Sequence, residues 1–239
     1  MELFLIRHAE SKNNIRKSGD ERFADPEITN NGHSQSEHLA KYLQEGLHLS
    51  REERDLRTRP FDQLYTSAMT RALQTVQPIA AAGEIEAEVW IDIHEIGGLY
   101  TLNSDQTKKV AYPGMNRNEI NNRFPGHILP NELDDHGWWN KEAESIEDTF
   151  ERVEKVLQNL LGRADESSLI GMVTHGGFMS ILMCKLCNLT AGEGTAFQSH
   201  NCSVSRISFE KESKITIQYW NSFYFLPENL KVPRPECDY

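Results

Sequence analysis

The apolar run Leu3-Phe4-Leu5-Ile6 stops abruptly at Arg7-His8, and this break constrains the fold more than any other feature of the chain. Four consecutive apolar residues predict a strand buried on both faces, as in parallel sheets covered by helices. Open α/β sheets bind ligands at the carboxyl ends of their strands, so a buried strand ending in two polar groups delivers them to a binding edge. Arginine meets oxyanions with a planar fork of donors, and histidine attacks or carries protons near neutral pH.

The same arrangement recurs further on. A strand over about 63–66 meets Ser67, a good N-cap, and the helical run Ala68 to Val76 with Arg71 in its first turn. A third strand over 89–93 ends at His94-Glu95-Ile96-Gly97-Gly98, and a fourth over 169–174 runs into His175-Gly176-Gly177 and a helix through Leu186. Thr29 caps an earlier helix with Leu39, Leu43 and Leu47 four apart. Ser145-Ile146-Glu147-Asp148 resembles a capping box opening a helix with Ile146, Phe150, Val153, Leu157 and Leu160 on one side. Val204–Phe209 and Lys214–Tyr219 alternate like a closing hairpin. The stretch from Tyr100 to Glu144 reads as an irregular insert with one short helix near 116–124, and the chain from about 222 as an extended tail.

Strands alternating with helices predict an α/β protein with a mostly parallel central sheet, and 239 residues suit a single domain spanning 1–239. Arg7, His8, Arg71, Glu95 and His175 then stand at or just past the carboxyl ends of four strands, on one shared edge.

A net charge of -11 argues against nucleic acid or an anionic membrane as partner. An anionic substrate must therefore be gripped by a local cluster of cations. No apolar run approaches the roughly 20 residues that span a bilayer, and a strand that starts at once leaves no room for a signal peptide. Four cysteines, Cys184, Cys187, Cys202 and Cys237, fit reduced thiols in a cytoplasmic protein. Cys184-Lys185-Leu186-Cys187 follows a helical pattern and has no second pair to complete a metal site.

Two arginines, two histidines and a carboxylate suit phosphoryl transfer with no cofactor and no metal. The arginines neutralise the non-bridging oxygens, one histidine attacks phosphorus, and the carboxylate moves the proton of the leaving group and then of water. Helix N-termini after Ser67 and His175 add N–H groups directed at an anion. Neighbouring arginines keep the attacking imidazole neutral.

Four stretches resemble the histidine phosphatase superfamily, in the branch of cofactor-dependent phosphoglycerate mutases and small broad-specificity phosphatases. Arg7-His8-Ala9-Glu10-Ser11 with Asn14 is similar to its Arg-His-Gly-Glu opening, with Ala9 in place of glycine. Ile28-Thr29-Asn30-Asn31-Gly32 with Gln35, Ser67 to Thr75, and Thr174-His175-Gly176-Gly177 resemble its later elements, and His94-Glu95-Ile96 sits where it keeps an acid/base glutamate. The resemblance covers nearly the whole length and implies a three-layer α/β/α sandwich without a catalytic metal. It implies His8 as nucleophile, Arg7, Arg71 and His175 as a phosphate clamp with Gly176 beside them, Asn14 as an accessory contact and Glu95 as proton donor.

Several residues have plainer readings. Asn14 can cap its loop, and Glu84, Glu86 and Glu88 rival Glu95 on the same stretch. The Gly176-Gly177 pair serves either a ligand or helix packing. His33, His38, His48, His127 and His136 are assigned to the surface, and Trp138-Trp139 to covering a helix. Lys108, Lys109, Arg117 and Arg123 either bind a second phosphate or carboxylate or form a solvated face. The expected activity is a phosphomonoesterase acting on a small phosphorylated substrate, a phosphopeptide included. The alternatives are a phosphoglycerate mutase, whose longer insert Gly98 to Asn103 echoes in fragments only, and a non-catalytic phospho-ligand scaffold.

Overall fold

A computed structural model describes all residues except 18, 106, 191–194, 211–213 and 233–239. Strands β1 (Glu2–Arg7), β2 (Gln63–Thr66), β3 (Ala87–Val89), β6 (His127–Ile128), β7 (Leu169–Thr174), β8 (Val204–Phe209) and β9 (Ile215–Ser222) form a seven-stranded sheet ordered β6-β3-β2-β7-β1-β8-β9. The five strands from β6 to β1 run parallel, and β8 runs antiparallel to both β1 and β9. A separate hairpin pairs β4 (Tyr100–Leu102) with β5 (Lys109–Ala111).

Alternation along β1 sorts its side chains between two cores. Phe4 and Ile6 pack with Leu39 and Leu43 of α1 (Asn30–Gln44) and Ala72, Val76 and Ile79 of α3 (Thr70–Gly83). Leu3 and Leu5 face Val153, Val156 and Leu160 of α5 (Ile146–Gly162) and Phe178 and Leu182 of α6 (Gly176–Leu186). This is the three-layer sandwich, held by burying whole aliphatic side chains at roughly 1.5–3 kcal/mol each. Among the described residues no helix is long and apolar enough to cross a membrane.

Several boundaries differ from expectation. The third strand ends at Val89, and Ile91–Ile93 wind into a 3-10 turn, because Trp90 N–H still donates to Thr66 while Ile93 N–H turns back to Trp90. Leu47 lies past the end of α1 and is exposed. Ile146 is likewise exposed, at the first turn of α5. A short helix α2 (Arg51–Asp55) was not anticipated, although Ser50 and Glu53 form the capping box that signals it.

The insert is irregular over most of its length, as expected, with its short helix where predicted, but it also carries strands that were not expected. It holds the β4–β5 hairpin, α4 (Arg117–Arg123) capped by Asn116, and β6 on the sheet edge. Its own core of Leu99, Met115, Ile120, Phe124, Leu133, Trp138 and Trp139 closes on Met69 and Leu73 of the α3 region. Gly98, at φ +67, lets the Trp139 ring approach to where a Cβ would lie only 2.0 Å from it. The expected extended tail from about 222 packs against the body within its described residues. Leu226 and Leu230 are buried, and the Gln35 amide donates to the Leu230 carbonyl at 2.8 Å. Pro233, Pro235 and Cys237 lie outside the described residues.

Candidate active site

Parallel pairing brings the ends of β1, β2 and β7 level, with Arg7 beside Thr174 and Thr66 beside Val173. The residues that follow meet at one place. His8 is buried, its main-chain N–H donating to Thr174. Its Nδ1 stands 2.7 Å from the Ala9 carbonyl. A carbonyl only accepts, so Nδ1 carries the hydrogen and Nε2 keeps its lone pair. Arg71 Nε donates to that Nε2 at 3.2 Å. Burial, with Arg71 and Arg7 nearby, pushes the His8 pKa well below the usual imidazole range, so the ring is neutral at pH 7.

His175 is fully buried, with its ring centroid 5.1 Å from that of His8. Its Nε2 lies 2.8 Å from the Ser67 hydroxyl. Burial, then Arg71 and His8, also lower its pKa strongly. Arg7 donates through Nη1 to the Ser199 carbonyl and packs over Gly176, where a Cβ would stand 3.2 Å from Arg7 Nε. Gly176 thus makes room for the arginine.

Glu95 lies on the N-terminus of α6. Its Oε1 accepts from Ile96 and Phe178 N–H, both at 3.0 Å, and Oε2 accepts from Gly177 N–H at 3.3 Å. A Cβ on Gly177 would stand 2.6 Å from Oε1, so that glycine accommodates Glu95. Glu84, Glu86 and Glu88 do not line the pocket. Of the helix N-terminal N–H groups expected to face an anion, three meet carboxylates of the chain itself. Glu95 takes the Gly177 and Phe178 N–H groups of α6. At α3, Asp25 caps the helix, accepting from Thr70 N–H at 3.0 Å and Thr70 Oγ1 at 2.7 Å. The N-cap position is Met69, not Ser67, whose hydroxyl accepts from Met69 N–H at 3.3 Å and meets His175.

Asn14 lines the pocket but its Oδ1 is committed to the loop, accepting from Ser11 N–H (2.9 Å), Ser11 Oγ (3.0 Å) and Asn201 Nδ2 (3.2 Å). Asn201, which sequence reasoning missed, also donates to the His8 carbonyl at 3.0 Å. Thr75 accepts from Ala9 N–H at 2.9 Å and donates to the Arg71 carbonyl at 2.6 Å, fixing the segment after β1 to α3. Gln35 and Gln74 likewise accept main-chain N–H bonds from Glu10 and Ile28.

The resulting pocket has a volume of about 220 Å³. Its cations are Arg7, Arg71 and two from the loop after β1 that sequence reasoning passed over, Arg16 and Arg22. Of the insert cations, Lys109 reaches the adjoining recess. Arg117 instead donates to the Leu133 and Pro130 carbonyls, Arg123 pairs with Glu27, and Lys108 is exposed. His48 is buried among Phe4, Phe61 and Tyr42, which corrects its surface assignment, and His127 is half-buried.

The family model of the histidine phosphatase superfamily (branch 1) matches residues 3–222. The chain belongs to that superfamily. No curated protein matches it in sequence. A solved phosphoserine phosphatase mutant from Entamoeba histolytica, bound to phosphoserine, superposes with a TM-score of 0.61 at 21% identity, covering 95% of this chain and 99% of that one. The alpha-ribazole phosphatase from Shigella flexneri gives 0.59 at 18%, covering 93% and 96%. A mycobacterial glucosyl-3-phosphoglycerate phosphatase gives 0.56 at 18%, covering 93% and 99%. At such identities the likeness establishes the histidine phosphatase fold.

Proposed function

We propose that this chain is a phosphomonoesterase that needs no metal and works through a phosphohistidine on His8. The observation that carries this reading is the unprotonated Nε2 of a neutral, buried His8, held 3.2 Å from the Arg71 guanidinium. Arg7 and Arg71 neutralise the phosphoryl oxygens, where transition-state charge collects, the uncharged His175 serves the clamp as a hydrogen-bond donor, and Asn14 and Gly176 shape the wall beside them. Nε2 attacks phosphorus in line, and the P–O bond to the alcohol breaks.

Glu95 supplies the proton. Its Oε1 takes two of the three N–H contacts, leaving Oε2 as the oxygen able to carry a transferable hydrogen. Oε2 protonates the departing alkoxide, then takes a proton from the water that attacks phosphohistidine. Water as acceptor makes the enzyme a phosphatase; the phosphatase neighbours support this over a mutase. The chain acts as one domain, in the cytoplasm, on a small phosphorylated substrate. The thiols Cys184, Cys187 and Cys202 support a reducing location.

Acid quenching during turnover tests the mechanism. Phosphohistidine is alkali-stable and acid-labile, so a brief quench should trap labelled enzyme in the parent and none in His8→Ala. Full turnover by His8→Ala, or strong inhibition by EDTA, would overturn the proposal.

A further inference from the structure

The His8 pocket opens into a second recess of about 440 Å³, and the two share Arg7, Arg22 and Glu95 as common walls. Arg22 comes from the loop after β1, and Lys109 from β5 of the insert hairpin. Both sit against the ring of Tyr100, with the guanidinium carbon 3.9 Å and the Lys109 Nζ 4.7 Å from its centroid. Arg22 also donates to the Tyr100 carbonyl. The aromatic ring therefore fixes two cations at the mouth of one recess.

Their lack of a carboxylate partner is informative in a chain of net charge -11. Lys12, Arg123, Arg163, Lys185 and Arg206 each find an acidic side chain at 3.1 Å or less. Among the described residues, no carboxylate lies within 4.0 Å of Arg22 or Lys109. Glu144, on the wall of the recess, is spent on Arg152, with both bonds at 2.7 Å. Glu95 is spent on the N-terminus of α6. A half-buried guanidinium with Arg16 nearby, attracted by Glu95 only from beyond 4.0 Å, gains from a counter-ion that arrives with a ligand.

We propose that the substrate carries a second oxyanion, carboxylate or phosphate, which Arg22 and Lys109 hold in this recess while the reacting phosphoryl group faces His8. Ile96 and the exposed Ile146 offer apolar wall for a short carbon stem between the two anions. Arg22, half-buried and planar, provides the oriented contact. Lys109, exposed at the rim, adds attraction that salt screens.

The inference rests on the His8 pocket as the phosphoryl site, yet it is testable without turnover. Calorimetry would compare butylphosphonate, 4-phosphonobutanoate and butane-1,4-bisphosphonate, with three- and five-carbon homologues. At least one doubly anionic ligand should bind about tenfold tighter than its singly anionic match, and which one does so separates carboxylate from phosphate. Arg22→Met should bring that ratio to about threefold or less, Arg22→Lys should retain part of it, and Lys109→Met should lower it by less than Arg22→Met. A merely structural role for Arg22 would weaken both ligand types equally and leave the ratio untouched, which would overturn the subsite. Equal binding of all ligands by the parent would do the same. Hydrolysis of simple monoesters with no such preference would sink the subsite alone; an Arg22-dependent preference without hydrolysis would sink the phosphatase reading alone.

Discussion

Arg71 Nε donates to His8 Nε2 across 3.2 Å, which ties the lone pair that would attack phosphorus to the cation that would stabilise the product of that attack. In the proposed mechanism, substrate binding exchanges this bond for contacts to a phosphoryl oxygen, releasing Nε2 for attack. The same guanidinium also depresses the His8 pKa, after burial. The parent should therefore stay active as pH falls through the ordinary imidazole range near 6.5, once the substrate's own ionisation is subtracted. Arg71→Met should lower kcat/KM by about 10²–10³. It should also move the acid limb of the profile upward, because one of the charges opposing protonation is gone. A profile whose acid limb does not move would mean that Arg71 leaves the His8 titration alone.

Buried neutral imidazoles make stability acid-sensitive. His48, enclosed by Phe4, Phe61 and Tyr42, is held at about 4 by burial, against 6.5 when unfolded. Below pH 6.5 the unfolded chain binds a proton that the folded chain does not, so stability is lost as pH falls from 6.5 towards 4. At 1.36 kcal/mol per pH unit, His48 accounts for about 2 kcal/mol of loss between pH 7 and pH 5. His48→Leu removes this contribution and should flatten the slope by that amount in urea unfolding at the two pH values. An unchanged slope would exclude His48 as a source.

The parts of this molecule legible in the sequence are those fixed by local rules. β2 and β7 fall where apolar runs meet Thr66 and Thr174, and α6 where Gly176 follows a strand. The convergence of Arg7, His8, Arg71, Glu95 and His175 was readable because parallel strands share a carboxyl edge. The third strand was overextended because Val89, Ile91 and Ile93 alternate as in a strand, while their hydrogen bonds wind a 3-10 turn. Asp25 caps a helix 45 residues away, and Asn201 reaches His8 from 193 residues away. Arg22 reaches Tyr100 from 78. No spacing rule connects such pairs, since loops, not periodic elements, bring them together.

Glu95 and Gly177 should fail in the same way when altered. Glu95→Gln keeps the hydrogen-bond acceptor that faces Ile96 and Phe178 but cannot supply the proton. Gly177→Ala places a methyl group 2.6 Å from Oε1 and 2.4 Å from Ile96 Cδ1, which forces the carboxylate off its seat. Both should slow hydrolysis of alkyl phosphates by about 10²–10⁴. Both should slow p-nitrophenyl phosphate far less, because nitrophenolate departs without a proton. Equal losses on the two substrates would remove Glu95 from proton transfer.

Arg152 joins α5 to the segment that presents Glu95. It donates to Glu144 through two bonds of 2.7 Å, and through Nη1 to the carbonyls of Asp92 (2.6 Å) and His94 (3.2 Å). Burial alone would raise the Glu144 pKa, but the Arg152 bonds overcome it and hold the carboxyl below its usual range. The pair's contribution is thus complete at pH 7 and fades as pH falls below the ordinary glutamate range. Arg152→Met leaves a carboxylate whose side chain is only 4% exposed without its counter-charge, and should destabilise the protein by about 3–5 kcal/mol. Adding Glu144→Gln removes the orphaned charge, so the double variant should be more stable than Arg152→Met alone at pH 7. At pH 4 that difference should shrink, since protonation neutralises Glu144 in the single variant. Equilibrium urea unfolding of the four proteins at both pH values measures the coupling directly, and strictly additive single effects would show that the ion pair contributes nothing.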